Sequence, residues 1–317
     1  MSALHLEPRF RYRPRMKLIA LLLALLAERL ATHLFHWREL RWIRAVVDRM
    51  LDWPQRFPAI GAMAAVSCLL LLLVAPLIWI WFATGDTLLG VPYLVFSIVV
   101  LFLCLGPQDI GEEVDAWSDA VRTNDNRLAA ERASALLDCD PRPSHTVVEA
   151  VFVQGNNRIF SVVFWFVLLG PIGAWAMKMA DVLRRRSIVR REILHDVDPT
   201  ADATDTEALV RATETVHAML AWVPARLAAI SYAIAGSFDR AWEAWGKPVS
   251  NGPISVGEGN DRVLIDIGCA ALAFVPDDSA DDTPEVQGAQ AAKRLLFRAL
   301  IAWVVVLSLV TLAGPVI

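Results

Sequence analysis

One stretch limits what this chain can become: VEAVFVQGNNRIFSVVFWFVLLGPIGAWAMKMADVLRRR, residues 148–186. Polar Gln154, Asn156, Asn157 and Arg158 lead straight into an apolar run. That run is interrupted by Gly-Pro-Ile-Gly at 170–173 and closes on Lys178, Asp181 and an arginine triplet. In hydrocarbon, an unpaired backbone group or an ionised side chain is costly unless it lines a cavity or finds a partner. An interrupted apolar helix with polar groups at its mouth is therefore the natural place for a site. Pro171 between two glycines must kink the run or turn it into a re-entrant loop.

The rest of the composition agrees with membrane spans joined by polar segments. The chain is 56% hydrophobic, carries 12 Trp among 317 residues, and has a mean hydropathy of +0.45, too apolar for a soluble protein of this length. A net charge of −4 supplies no basic field for nucleic acid, so none is expected as a partner. Cys68, Cys104, Cys139 and Cys269 show no paired spacing, so neither a metal site nor a disulfide framework is indicated, and no cofactor is expected.

We read an all-α integral membrane protein with about four clear transmembrane or re-entrant helices plus amphipathic interfacial helices. Residues 1–58 hold a basic arm, a half-inserted helix around 17–35 that ends on Glu28 and Arg29, and a Trp/Arg-rich interfacial helix. Residues 59–107 form a transmembrane hairpin turned at Gly85-Asp86, and 108–158 form polar amphipathic helices with Val114, Trp117, Val121 and Leu128 at helical spacing. Residues 159–186 are the kinked membrane helix. A polar region, 187–294, contains a helix at 209–236 broken by Pro224, and 295–317 is the C-terminal transmembrane helix. A basic N-terminus placed in the cytoplasm, followed by a hairpin, would put Arg184–Arg186 outside if 159–183 simply crossed. A re-entrant 159–183 removes that conflict with the positive-inside rule, and so does a first segment that truly spans, though the latter puts Arg38, Arg41 and Arg44 outside.

Three runs carry a family resemblance: FWFVLLGPIGAWAMKMADVL, HAMLAWVPARLAAISYAIAG and the early LLLALLAERL followed by HW. Together they resemble the AmpE family, inner-membrane proteins encoded beside a cytosolic anhydro-muropeptide amidase in Gram-negative bacteria. The resemblance covers almost the whole chain. AmpE is in turn similar to the CobD/CbiB family, membrane enzymes that form an amide in cobalamin synthesis. The shared signals are Phe164-Trp165, Gly170-Pro171 with Gly173-Ala174, and Pro224-Ala225-Arg226-Leu227. Departures are as informative. Where the cobalamin enzymes have Ala-Glu-Asn and a downstream Asp, this chain has Phe152, Val153 and Gln154, with Asn157 for the Asp. Their Asn-Thr-Leu-Asp falls on Asp181 to Arg184, and Ser250-Asn251-Gly252-Pro253 is a poor echo of their Ser-Pro-Asn-x-Gly loop. Activating a carboxylate for amide formation needs acids or a metal-phosphate clamp, and most of those acids are replaced.

The resemblance implies an inner-membrane, multi-pass signalling modulator of β-lactamase induction linked to peptidoglycan recycling. It would bind a small amphipathic or anionic ligand, a muropeptide or a lipid, in a membrane-embedded pocket. The expected partners are the phospholipid bilayer and, functionally, the amidase. The alternative is a CobD/CbiB-like amide-forming enzyme or transferase with a changed substrate. Candidate ligand-binding residues are Glu28, Arg29, Gln154, Asn157, Arg158, Lys178, Asp181 and Arg226, with no catalytic residue assigned. Each has a plainer reading: snorkelling for Glu28 and Arg29, an interfacial anchor for Asn157-Arg158, an (i, i+3) ion pair for Lys178 and Asp181, a helix-end cation for Arg226.

Overall fold

A computed structural model describes residues 19, 22, 41–51, 61–84, 91–105, 110–137, 146–197, 203–246, 255–277, 279 and 281–313. Among the described residues there is no strand. In chain order the helices are α1 (Arg41–Leu51), α2 (Ala62–Thr84), α3 (Val91–Leu105), α4 (Ile110–Arg122), α5 (Asn126–Leu137) and α6 (Val147–Gly155). A π-helical turn (Asn156–Phe160) then leads into α7 (Ser161–Leu169), α8 (Pro171–Val197) and α9 (Ala203–Ala235). They are followed by α10 (Phe238–Trp245), α11 (Val256–Leu272) and α12 (Pro284–Ala313). Glu28 and Arg29 lie outside the described residues.

Among the described residues, four stretches are long and apolar enough to cross a membrane: Ala62–Ile80, Pro92–Arg122, Val147–Leu169 and Thr206–Ala235. α2 is apolar on all sides, and Leu71, Leu72 and Trp79 point outward, as a lipid-facing helix requires. α12 carries the same kind of outward stripe in Ile301, Val305, Val306 and Leu309. It covers most of the expected C-terminal span, whose residues 314–317 lie outside the described ones.

Local sequence explains the breaks. Asn124 adopts the left-handed conformation (φ 55°) between α4 and α5, and Asp125 accepts the Leu128 amide to start α5. Thr146 and Glu149 form a reciprocal capping box that starts α6. The break at 170–173 is a helical hairpin. Gly170 takes φ 73°, which favours glycine, and Pro171 occupies the first position of α8, where its missing N–H costs nothing. Gly173 lets α8 pass close to α7, because a side chain there would strike the Trp165 carbonyl.

The expected break at Pro224 is not found: α9 continues through it. Proline at 224 cannot donate to the Leu220 carbonyl one turn earlier. The indole Nε1 of Trp165 donates to that carbonyl instead, at 3.0 Å. Once the freed acceptor is satisfied, the helix has no reason to end. Near Pro76 in α2, Trp175 Nε1 donates to the Leu73 carbonyl at 3.1 Å, one residue along from the Leu72 carbonyl that Pro76 leaves without its helical donor.

Packing divides into two apolar clusters. One joins α1, α2, α3, α7, α8 and the first half of α9, around Leu101, Phe166, Met177 and Met179. The other joins α4, α5, α6, α11, α12 and the second half of α9, around Phe152, Phe160 and Tyr232. Ile159 and Trp303 pack against both, so the π turn lies at the seam between them.

Candidate functional site

The seam is where the polar residues gather. A π turn holds one extra residue, widens the helix and recurs at functional sites. Here it holds Asn156, Asn157 and Arg158, all buried. Arg158 Nη1 donates to both carboxylate oxygens of Glu113 on α4, at 2.9 and 2.8 Å, and Arg158 Nε donates to Gln154 Oε1 at 3.1 Å. The side chains of Arg158 and Glu113 are 9% and 11% exposed, which makes this a buried ion pair. Arg158 is therefore committed within the protein.

A second group of charges sits across from it on α8. Asp181 pairs with Arg185 Nε at 3.0 Å and with Arg184 Nη2 at 3.5 Å, and it lies 3.9 Å from His217 Nε2 on α9. Lys178 lies within electrostatic reach of Asp181, Arg185 and Arg158. Ser187 and Thr213 share a 2.7 Å hydroxyl contact one turn further along α8. Buried charge is tolerated at this depth because the members hold one another.

Between these groups opens a cavity of about 410 Å³, within the roughly 300–1,000 Å³ typical of small-molecule pockets. Its buried floor is formed by Gln154, Asn157, Arg184, His217, Asn260 and Asp261. Arg191 and Arg211 line the rim, and Glu207 on α9 lies 3.7 and 3.5 Å from them. Ser255, Gly257 and Glu258 bring in the start of α11, capped by its own box in which the Ser255 side chain accepts from the Glu258 amide.

Of the sequence candidates, Gln154 and Asn157 face the cavity. Arg158, Lys178 and Asp181 belong to the charged network around it. Arg226 stands behind the wall. It donates to the Trp222 carbonyl and to Asn260 Oδ1, while Asn260 Nδ2 donates to the Ala218 carbonyl at 2.8 Å. Its guanidinium lies 4.3 Å over the Trp222 ring. Arg226 thus fastens α9 to α11. Glu113, Arg184, His217, Asn260 and Asp261 escaped the sequence reading. Arg184 was legible as one of three arginines and as the position of the cobalamin family's aspartate, and the others sit in segments whose proximity no local pattern reveals.

Glu149 closes the Thr146 capping box that starts α6, and Asp181 is held by Arg185 and Arg184 on α8. Among the described residues, no three His, Cys, Asp or Glu side chains converge as metal ligands.

Comparison with known proteins places this arrangement. The chain is 25% identical over 159 residues to the cobalamin biosynthesis protein CobD of Chromobacterium violaceum, covering 48% of this chain and 47% of that protein. It is 26% identical over 184 residues to CobD of Stutzerimonas stutzeri, covering 56% and 55%. The chain thus spans about half the length of these two relatives. It is 24% identical over 245 residues to Protein AmpE of Shigella flexneri, covering 74% of this chain and 79% of that protein. No solved structure matches it. The family model described as "Regulatory signalling modulator protein AmpE" matches residues 16–317. With that match over nearly its whole length, the chain belongs to the AmpE family.

Proposed function

We propose that this protein is a multi-pass inner-membrane modulator of β-lactamase induction. In this reading it answers to peptidoglycan recycling by binding a small anionic or amphipathic ligand in the seam cavity. The observation that carries the reading is the cavity itself. An opening of about 410 Å³ has Arg184, Gln154, Asn157 and His217 on its buried floor, in a bundle whose helices can cross a membrane. Arginine forks onto carboxylate or phosphate, and the neighbouring amides orient what it grips. The Glu113–Arg158 pair and the Trp165–Leu220 bond stiffen the walls, which keeps the pocket formed before a ligand arrives.

The test is native mass spectrometry of the detergent-purified full chain, wild type beside Arg184→Gln, with an anhydro-muropeptide added at graded concentration. We expect an adduct on the wild type that weakens at least tenfold in the variant. A bare protein mass at every concentration, in both proteins, would remove the ligand-binding reading and leave a scaffold that acts through protein contacts.

The CobD relatives favour a second reading, an amide-forming enzyme with a changed substrate. The same spectra separate the two. After incubation with an amine and a nucleoside triphosphate, a modulator returns its ligand unchanged. An enzyme returns it heavier by the amine less one water.

A further inference from the structure

Beyond α9 the chain turns over at Gly236 and Ser237 into α10, Phe238–Trp245. Three of the residues of α10 are large aromatics, Phe238, Trp242 and Trp245, and all three are exposed. Their i, i+4, i+7 spacing sets them on one face of the helix. The Phe238 and Trp242 rings stack with their centroids 5.9 Å apart, and Trp242 is 68% exposed. Asp239, Arg240 and Glu243, exposed as well, occupy the opposite face, and Ala241 is buried.

Three observations say what covers the aromatic face. The first is continuity. α9, one of the membrane-length stretches, carries an outward apolar stripe of Met219, Trp222, Val223, Leu227, Ile230 and Ile234. Phe238 follows Ile234 by four residues, so the aromatic face begins where that stripe ends. The second is length. A helix of this size rises about 12 Å against a hydrocarbon thickness of about 30 Å, so it can lie on a bilayer but cannot cross one. The third is chemistry. Indoles settle where one side is apolar and the other is wet. Trp165, Trp175 and Trp303 spend their N–H groups inside the protein, on the Leu220 and Leu73 carbonyls and on Ser231 Oγ. Among the described residues, the Trp242 and Trp245 indoles have no such acceptor, which leaves them for headgroups. The helix is also held ready. The Ser237 amide donates to the Ala271 carbonyl at 2.7 Å, and a side chain on Gly236 would strike that same carbonyl. The corner is thereby clamped to the end of α11, against which α10 packs. A clamped helix loses little freedom on docking.

We propose that α10 docks on the lipid surface. It lies in the headgroup layer beside α9, with Phe238, Trp242 and Trp245 at the acyl boundary and Asp239, Arg240 and Glu243 in water. One arginine against two acids leaves the charged face at a net −1. Docking therefore draws on aromatic burial and not on attraction to anionic headgroups. The bilayer then fixes the depth of the α9–α11 corner, and with it the α11 wall of the cavity, whether or not that cavity takes a ligand.

The test uses the full chain reconstituted in phosphatidylcholine bilayers brominated either near the headgroup or near the chain ends. Tryptophan fluorescence is compared between wild type and Trp242→Phe/Trp245→Phe, and the difference isolates these two indoles among the 12. We expect the difference signal to be quenched at least twofold more by the shallow bromines than by the deep ones, and equally with or without added phosphatidylglycerol. Stronger quenching by aqueous iodide than by either bromolipid would overturn the proposal, because the face would then lie in water. Deep bromines that quench as well as shallow ones would overturn the headgroup placement. Protection from all three quenchers would overturn it too, by showing that protein covers the face, whether a second copy or another segment of this chain. Shallow quenching that needs phosphatidylglycerol would refute docking without charge attraction. A second measurement requires no substitution. A phosphatidylcholine carrying a photoactivated diazirine near its glycerol should leave mass adducts on the wild-type peptide that spans Phe238–Trp245. An unlabelled α10 beside a labelled α2 would reject lipid contact at this helix.

Discussion

The Glu113–Arg158 pair offers a quantitative test of how the seam is held. Its contacts are 2.8 and 2.9 Å long, and both side chains are about nine-tenths buried. Two unit charges about 4 Å apart attract by about 4 kcal/mol at an effective dielectric near 20. Most of that attraction offsets the desolvation of the two ions. Replacing both with apolar groups of similar volume should therefore change stability little, whereas removing one leaves an uncompensated buried charge and costs about 3–5 kcal/mol. Arg158→Met alone should fall in that range, and Glu113→Leu alone should be comparable, because it strands Arg158 with only Gln154 to bond. The double variant should be less destabilised than the worse single. The resulting coupling exceeds the smaller of the two single losses, so it is about 3 kcal/mol or more, at the top of the range for two residues in contact. The assay is reversible unfolding in mixed detergent micelles with rising SDS fraction, followed by far-ultraviolet circular dichroism, for all four corners of the cycle. If the double variant loses the sum of the single losses, to within about 0.5 kcal/mol, the pair behaves like an exposed one. In that case the pair does not pin α4 to the π turn.

Two further predictions follow from other contacts. A Cβ at Gly268 would sit 2.6 Å from the Phe152 ring, so Gly268→Ala should cost about 1–3 kcal/mol through overpacking despite the better helix propensity of alanine. Adding Phe152→Leu should recover part of that loss in the same unfolding assay, and no recovery would mean the clash lies elsewhere. The second concerns pH. Arg122 donates two hydrogen bonds to Asp282, at 2.7 and 2.9 Å, and these hold the Asp282 carboxyl below its ordinary range. A depressed carboxylate contributes stability that is fully present above its unfolded value, near 3.9, and is lost as pH falls through the folded value. The gap in unfolding midpoint between wild type and Asp282→Asn should therefore be constant above about pH 5 and close below about pH 4. A gap that is unchanged down to pH 2 would sink the assignment.

How far the sequence could be read depends on the range of the interactions. The apolar α2 and α3, the amphipathic α4 and the outward apolar faces are short-range facts, written as hydrophobic runs and a 3.6-residue period. The Gly170-Pro171 break was equally legible, because only glycine and proline meet those backbone demands cheaply. Pro224 was misread for the complementary reason. A proline inside a helix looks like a stop when the chain is read locally, and the group that rescues it, the Trp165 indole, lies 55 residues away. Phe164-Trp165 and Pro224-Ala225-Arg226-Leu227 were visible as separate signals shared with the cobalamin family, and the structure shows a physical reason for them to occur together: Trp165 bonds the carbonyl that Pro224 releases. The same logic separates the site candidates. Gln154 and Asn157 drew attention because they interrupt an apolar run, and they line the cavity. Asp261, in the polar opening of an otherwise ordinary helix, raised no local signal, and it gains significance only when α9 sets α11 opposite α8. Arg158 and Arg226 drew attention as cations in apolar surroundings. That reasoning is sound on cost: a buried cation must be matched. It does not say whether the match is a ligand or the protein's own Glu113 and Asn260, and in both cases the structure supplies a partner from the protein itself.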